Sequence, residues 1–211
     1  MSAACLSLKC ASPEMTPATL LALITFAFVT SITPGPNNMM LFASGVNFGF
    51  RRTIPHMLGI GSGFFTLLLG VGFGLGAILE ALPLLHTALK AAGGAYLLYI
   101  AWHIAASRSI SEEKAGARPM TFLQAAAFQW VNPKAWVMAL GAMAAYPDPD
   151  NYTFTVLVIA AVFALVNVPS VSCWTGFGSL LRDWLSVPPR LKWFNIAMGA
   201  LLALSLWPML K

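Results

Sequence analysis

The chain has 211 residues, of which 58% are hydrophobic and only 9% are charged. Because soluble domains carry about 25% charged residues, this composition excludes an ordinary soluble enzyme and indicates a helical integral membrane protein. The formal net charge is +5. No basic stripe with interleaved aromatic residues accompanies that charge, so the expected partner is the lipid bilayer and not nucleic acid.

Residues 1–15 differ from the rest of the chain, because they are mixed in polarity and Lys9 is their only basic residue. A cleaved signal peptide is one interpretation, but no small-residue cleavage site precedes Thr33. A start at Met15 would open directly into the first apolar segment. We therefore expect this leader to be dispensable.

A membrane-spanning helix needs about 20 mostly apolar residues. By this criterion six spans follow the leader, at residues 17–48, 54–79, 82–106, 120–145, 153–181 and 191–210. The longest hydrophilic stretch, residues 107–119, separates two halves of three spans each, residues 16–106 and 120–211. The sequence thus predicts an all-α fold of six transmembrane helices.

Proline interrupts the first span, in the run TPGPNN at residues 33–38. Proline lacks an amide donor and clashes with the preceding turn, so the helix has to break there. In hydrocarbon, the freed backbone groups are tolerated only where they are buried in protein or line a wet cavity. A half-helix that begins near Asn37 would offer free amides and its positive dipole end to an anionic group such as a carboxylate. The alternative is an interfacial loop after an ordinary first span.

A second break, Asn132-Pro133-Lys134, interrupts the fourth span. A lysine at the centre of an apolar span costs about 3 kcal/mol on insertion scales, so such a residue usually faces a cavity or a partner. We expect Lys134 to bind a carboxylate or the open carbonyls of a break. The alternative is snorkelling toward a headgroup, which its position far from either end of the span disfavours.

Matched breaks in two halves are the best sequence pointer to the central site of a transporter built from inverted repeats. Three spans per half make the halves point in opposite directions, so the two breaks meet from opposite sides of the membrane. Asn37, Asn38 and the amides after Pro36 would hold a carboxylate, and open carbonyls around Thr33 and Val131 would hold an ammonium group. The predicted substrate-binding residues are Thr33, Pro34, Gly35, Pro36, Asn37, Asn38, Gln129, Asn132, Pro133, Lys134 and Asn167.

Two further features have ordinary explanations. Seven glycines crowd the second span between Gly59 and Gly76, which indicates close helix packing. His56 follows Arg51 and Arg52, and a surface histidine is the favoured interpretation over a proton-coupling group.

The Lys and Arg residues of the loops predict the orientation. Eight lie in loops after odd-numbered spans and three lie on the opposite side. The cytoplasmic side carries the excess, so both termini are expected in the periplasm and residues 107–118 in the cytoplasm.

Several kinds of chemistry have no motif in this chain. There is no Gly-rich loop ending in Gly-Lys-Ser/Thr and no nucleophile with a base at catalytic spacing. Cys5, Cys10 and Cys173 form neither a disulfide framework nor a zinc spacing. We therefore expect no enzyme activity, no metal, no cofactor and no direct use of ATP.

Four motifs in order resemble one family. They are SITPGPN at 31–37, NFGFRR at 47–52, GAYLLY at 94–99 and NPKA at 132–135. The chain, over about residues 16–210, is similar to the LysE/RhtB family of amino-acid exporters. The resemblance implies a bacterial inner-membrane protein that exports amino acids or derivatives such as threonine, homoserine, cysteine or lysine. It also implies that the proton gradient drives transport, with protons as the coupling partner.

Two alternatives belong to other functional classes. A heavy-metal or toxic-cation efflux protein of the same superfamily would need soft or acidic ligands at membrane depth. A non-transporting membrane partner of another protein would have no reason for two matched breaks. The sequence also permits a homodimer, because small residues form exposed helix faces.

Overall fold

The computed structural model describes residues 15–107 and 118–207, and every regular element within these ranges is helical. The predicted leader, apart from Met15, and most of the predicted cytoplasmic loop lie outside the described residues. The α-helices are α1 Pro17–Ile32, α2 Pro36–Phe48, α3 Phe50–Gly70, α4 Gly76–Ala81, α5 Pro83–Ala106, α6 Phe122–Gln129, α7 Pro133–Ala145, α8 Tyr152–Leu185 and α9 Pro188–Leu204. The all-helical prediction is confirmed for these ranges.

Two long helices of the described residues meet the length and hydropathy of a membrane span. They are Phe50–Ile78 and Tyr152–Leu185, and the bent pair α1 and α2 adds a third if it counts as one span. They correspond to the predicted second, fifth and first spans. The third predicted span corresponds to α5, which has 24 residues but is less apolar because of its tyrosines, histidines and lysine. Six spans therefore stay a prediction.

Both predicted breaks are present, and proline explains where each half-helix begins. The axis bends by 55° between α1 and α2. Pro36 opens α2 and Pro133 opens α7, and proline suits a first helical turn because the missing amide would have no helical partner there. Each predicted broken span is thus a pair of shorter helices.

The second predicted span is continuous but kinked. After α3 the chain forms a π-helical turn over Val71–Leu75, in which Phe73 and Gly74 leave helical geometry. Gly74 has a φ of +112°, a value that side chains with a Cβ rarely adopt. The kink separates α3 from the short α4.

Several helices approach each other backbone to backbone. A Cβ on Gly178 of α8 would lie 2.2 Å from the Phe42 carbonyl of α2, and one on Gly63 of α3 would lie 2.4 Å from the Ala126 carbonyl of α6. The packing interpretation of the second-span glycines is correct for Gly59, Gly63 and Gly72, whereas Gly61 and Gly74 face open space. Small residues at these crossings bring the broken helices close to α3 and α8.

The two largest hydrophobic clusters join different sets of helices. One cluster connects α1, α3, α7 and α8 and includes Leu23, Phe64, Leu67, Met138, Ile159 and Phe163. The other connects α2, α5, α6 and α9 and includes Met40, Leu97, Phe128 and Leu202. Each of the two broken spans therefore has one half in each cluster.

Candidate functional site: a cavity between the two breaks

A small polar cavity lies between the two broken helices. Its volume is about 30 Å³, room for about one water molecule. Residues from α1, α2, α3, α6, α7 and α8 and from the breaks surround it. They are Thr30, Ser31, Gly35, Asn37, Asn38, Ile60, Phe64, Gln129, Asn132, Lys134, Ala135, Met138 and Asn167.

At the first break, side chains and the next turn take up the carbonyls that proline frees. The Ser31 carbonyl accepts from Asn38 Nδ2 at 2.8 Å, and the Ile32 carbonyl accepts from the indole N–H of Trp174 at 3.0 Å. The Gly35 carbonyl accepts from the Met39 amide at 3.0 Å. Buried backbone carbonyls need such partners, so α8 and the start of α2 together stabilise the break.

Lys134 of α7 reaches across to the end of α1. Its ammonium Nζ donates to the Thr33 carbonyl at 2.7 Å, to Thr33 Oγ1 at 3.0 Å and to the Pro34 carbonyl at 3.4 Å. Helix carbonyl ends attract cations because of the helix dipole. The positive charge of Lys134 on α7 is therefore bound by the carbonyl groups at the C-terminal end of α1.

A pair of amide side chains makes the second bridge between the breaks. Asn37 Nδ2 donates to Gln129 Oε1 at 2.8 Å, and Gln129 Nε2 donates to Asn37 Oδ1 at 3.1 Å. Asn132 Nδ2 adds a longer bond of 3.4 Å to Gln129 Oε1. Gln129 is fully buried, so these bonds replace its contact with water.

The two half-helices differ at their N-termini. Asn132 caps α7, because its Oδ1 accepts from the Lys134 amide at 3.2 Å. At α2 the N-cap residue is Gly35, and no side chain caps the helix. The positive end of α2 is therefore the one that faces the cavity without a capping oxygen.

Ser31, a cavity residue outside the eleven predicted substrate-binding residues, has an unsatisfied group. Ser31 is 7% exposed, and its hydroxyl has no hydrogen-bond partner among the described residues. A buried hydroxyl without a partner points to a ligand or a water in the adjoining space. Apolar wall residues Ile60, Phe64 and Met138 were also missed, because an apolar span carries no sequence mark for the face that lines a cavity.

The structure places the predicted residues in three groups. Gly35, Asn37, Asn38, Gln129, Asn132, Lys134 and Asn167 line the cavity. Thr33 and Pro34 lie just behind it as acceptors for Lys134, and Pro36 and Pro133 open the half-helices. All eleven are brought to the two breaks or to α8 beside them, and their role in substrate binding stays a prediction.

The predicted ammonium site needs revision at two carbonyls. The Thr33 carbonyl already accepts from both Asn38 and Lys134, which uses both of its lone pairs. The Val131 carbonyl lies against Gly93 of α5, where a Cβ would come within 2.1 Å of it, and Val131 is not in the cavity wall. A bound ammonium group can use Thr33 only if Lys134 moves.

His56 is not a surface residue, and that expectation was wrong. Its side chain is 2% exposed because α3 turns it toward α2, α5 and α6, where it lines a second cavity. The neighbouring Arg51 and Arg52 are exposed, and they misled the sequence-based interpretation. No group of three His, Cys, Asp or Glu residues forms a metal-binding cluster within the described ranges.

Comparison with known proteins gives one consistent family. The family model for LysE type translocators matches residues 28–205, which include both breaks. Proteins named cysteine/O-acetylserine efflux protein from Escherichia coli (strain K12), Shigella sonnei (strain Ss046) and Salmonella typhi are each 31% identical to this chain over 172 residues. The match covers 80% of this chain and 86% of each relative. No solved structure matches the chain at a significant level.

Proposed function

Because this chain belongs to the LysE type translocator family, we propose that it exports a small amino acid across the bacterial inner membrane by alternating access. The first candidate substrates are O-acetylserine and cysteine, after the names of the relatives, followed by threonine, homoserine and lysine. Transport is driven by the proton gradient. The ammonium of Lys134 on the carbonyls of Thr33 and Pro34, beside the uncapped N-terminus of α2, is the observation that carries this proposal.

The carboxylate of the substrate binds at the uncapped end of α2. Backbone amides at a helix N-terminus attract anions through their hydrogens and the helix dipole. Lys134 approaches this end, since its Cδ would be 2.7 Å from a Cβ on Gly35. One anionic group can therefore contact the amides that follow Pro36 and the Lys134 ammonium together, with the Asn37 side-chain amide as a further donor.

The ammonium of the substrate takes the place of the Lys134 ammonium. Lys134 now occupies the acceptors that an amino group requires, namely the Thr33 carbonyl and hydroxyl and the Pro34 carbonyl. When a carboxylate draws Lys134 away, these acceptors become available to the substrate. Lys134 thus occupies these acceptors between transport cycles. The carbonyls at the break between α1 and α2 then have a hydrogen-bond donor both with and without substrate.

The present conformation is closed to an amino acid. The central cavity has about 30 Å³, whereas sites for small molecules have about 300–1,000 Å³. Opening requires that the α1–α2 and α6–α7 pairs move apart, and side-chain bonds such as Asn37 to Gln129 hold them together now. Binding energy gained from the substrate offsets the loss of those bonds.

The proposed architecture is six spans in two inverted repeats, with both termini in the periplasm and a possible homodimer. The helix contacts support the repeat. When each helix of one half is replaced by its counterpart in the other half, the main helix pairs in contact are again pairs in contact. α1 and α2 both pack on α8, and their counterparts α6 and α7 both pack on α3, while the pairs α3 with α8 and α5 with α9 map on themselves. Such exchange symmetry is expected when two inverted halves share a central site.

The test is uptake of radiolabelled amino acids into inside-out membrane vesicles that contain this protein. We expect protein-dependent accumulation of O-acetylserine or cysteine, abolished by a proton ionophore. Absence of uptake for every amino acid in the panel would contradict the proposal. Uptake of heavy-metal cations in the same vesicles would favour the toxic-cation alternative.

A further inference from the structure

A second and much larger cavity lies at the other end of α2. We call it the histidine cavity, and the polar residues of its wall include Ser44, Asn47, His56, Tyr96, Tyr99, His103, Arg118 and Gln124. Its volume is about 380 Å³, against about 30 Å³ for the central cavity. Of these two cavities along α2, the histidine cavity falls in the range of about 300–1,000 Å³ that small-molecule sites occupy, and the central cavity does not.

Two buried side chains of this cavity have polar atoms without partners. His56 is 2% exposed and both of its ring nitrogens lack a hydrogen-bond partner within the described part of the chain. Asn47 is 6% exposed, and its Oδ1 lacks a partner there too, although its Nδ2 donates to the Ala43 carbonyl at 2.8 Å. Native proteins rarely leave buried polar groups unpaired. Three such atoms around one cavity indicate a site built for a polar ligand.

The charged and polar groups in the wall of the histidine cavity indicate which kind of ligand it binds. Arg118 is the charged residue of the wall, and no Asp or Glu is among the described residues that line the cavity. A guanidinium group binds carboxylates strongly. The Asn47 Oδ1 atom and the faces of Tyr96 and Tyr99 are suited to an ammonium group. A small amino acid carries both charges, whereas the described part of the wall offers no carboxylate to a bare metal cation.

The histidine cavity and the central cavity share one face of α2. Asn37, Met40, Ser44 and Asn47 follow each other at helical spacing on that face. Asn37 lines the central cavity and the other three line the histidine cavity. Ten residues of helix separate Asn37 from Asn47, which is about 15 Å. Buried Met40 and Phe128 belong to one hydrophobic cluster in this region, and apolar packing there keeps the cavities separate.

We propose that the histidine cavity is a second amino-acid site, which holds the substrate before or after its passage through the central cavity. The inference rests on the proposed export function and adds to it a site with its own residues. His56 and Asn47 contact the polar groups of the substrate, and Arg118 binds its carboxylate.

The experiment measures protection of a cysteine placed in the wall. Ile100 lines the cavity and is half-buried, so the reporter is Ile100→Cys in a chain that also carries Cys5→Ser, Cys10→Ser and Cys173→Ala. The purified protein is reconstituted in liposomes and treated with a small methanethiosulfonate reagent. O-acetylserine at about ten times its dissociation constant should slow the modification about tenfold by mass action.

Two further variants make the outcome specific. With His56→Phe, which keeps a ring of similar size, the protection should disappear while the folded protein persists. With Lys134→Ala, protection should remain although transport falls. As a matched reporter outside the cavity, Ser186→Cys replaces an exposed residue between α8 and α9, and O-acetylserine should leave its modification rate unchanged.

The results separate this inference from the proposed function. Transport of O-acetylserine with no protection of the Ile100→Cys reporter overturns the second site and leaves the export function standing. Protection that survives both His56→Phe and Asn47→Leu also overturns it, because the ligand would then lie elsewhere. If vesicles transport no amino acid and no amino acid protects the reporter, both proposals fail together.

Discussion

Lys134 combines two roles at the scale of single residues. A lysine at membrane depth needs partners, and the break carbonyls of α1 need donors. The bonds from Lys134 to Thr33 and Pro34 meet both needs at once. These bonds explain how a costly residue is accommodated at the start of α7.

The Asn37–Gln129 pair leads to a stability prediction. Asn37→Ala removes two hydrogen bonds from the buried Gln129 amide, and each such bond contributes about 0.5–1.5 kcal/mol. Gln129→Ala has a similar cost, whereas the double variant removes both partners. We expect thermal unfolding in detergent to show that the double variant loses little more stability than either single variant.

The interaction energy between Asn37 and Gln129 tests whether the two side chains bridge the breaks. Residues in direct contact show interaction energies of about 0.5–3 kcal/mol, and distant residues add within about 0.5 kcal/mol. Strictly additive losses would mean that Asn37 and Gln129 do not bridge the two breaks in the folded protein.

At the scale of elements, proline determines where helices end, and small residues determine how closely they pack. α8 contacts both halves of the first broken span, and Gly178 lets the backbone of α2 approach it. The indole of Trp174 on the same helix satisfies the Ile32 carbonyl. α8 therefore both permits and stabilises the break between α1 and α2.

Gly178→Ala should destabilise the protein, and Gly176→Ala should not. A Cβ at Gly178 would lie 2.2 Å from the Phe42 carbonyl, an atom of the backbone that cannot rotate away, whereas a Cβ at Gly176 meets nothing within 4 Å. Overpacking costs about 1–3 kcal/mol, while Ala in a helix gains up to about 1 kcal/mol over Gly. Thermal unfolding of both variants in the same detergent measures the difference, and equal midpoints would refute the close approach of α2 and α8.

The sequence predicts local features of the helices but not the contacts between distant helices. Pro34, Pro36 and Pro133 predicted the breaks correctly, and Lys134 predicted a polar partner, because these residues act locally on the backbone. The contact of Trp174 with Ile32 spans 142 positions, so no local pattern indicates it. The buried position of His56 was missed for the same reason.

A membrane protein also hides its core faces from pattern analysis. Leu165 is 74% exposed and Phe163 is fully buried on the same helix, although both are apolar. In water-soluble proteins the exposed position would be polar and the helix face readable. Lipid-facing positions are apolar too, so the sequence predicted the polar residues of the site but not its apolar wall.

In the whole molecule, this LysE type translocator has two cavities along α2, and both walls carry polar side chains. One cavity is closed on a lysine and the other is large enough for an amino acid. A transporter of this kind exposes its central site to one side at a time, so a small central cavity is expected in at least one state. In the proposed mechanism, the paired helices separate about the bends at the two breaks.

The most direct measurement is the initial rate of O-acetylserine transport by reconstituted wild-type protein, Lys134→Ala and Val137→Ala. Val137 lies on the same helix as Lys134 but is 70% exposed, so Val137→Ala controls for general effects of a change in α7. Hydrogen bonds to a charged group contribute about 1.5–3 kcal/mol, which corresponds to a fall of about 10–100-fold in rate. We expect this fall for Lys134→Ala, with wild-type rates for Val137→Ala and equal amounts of folded protein. Wild-type transport by Lys134→Ala would show that the Lys134 ammonium has no part in substrate binding.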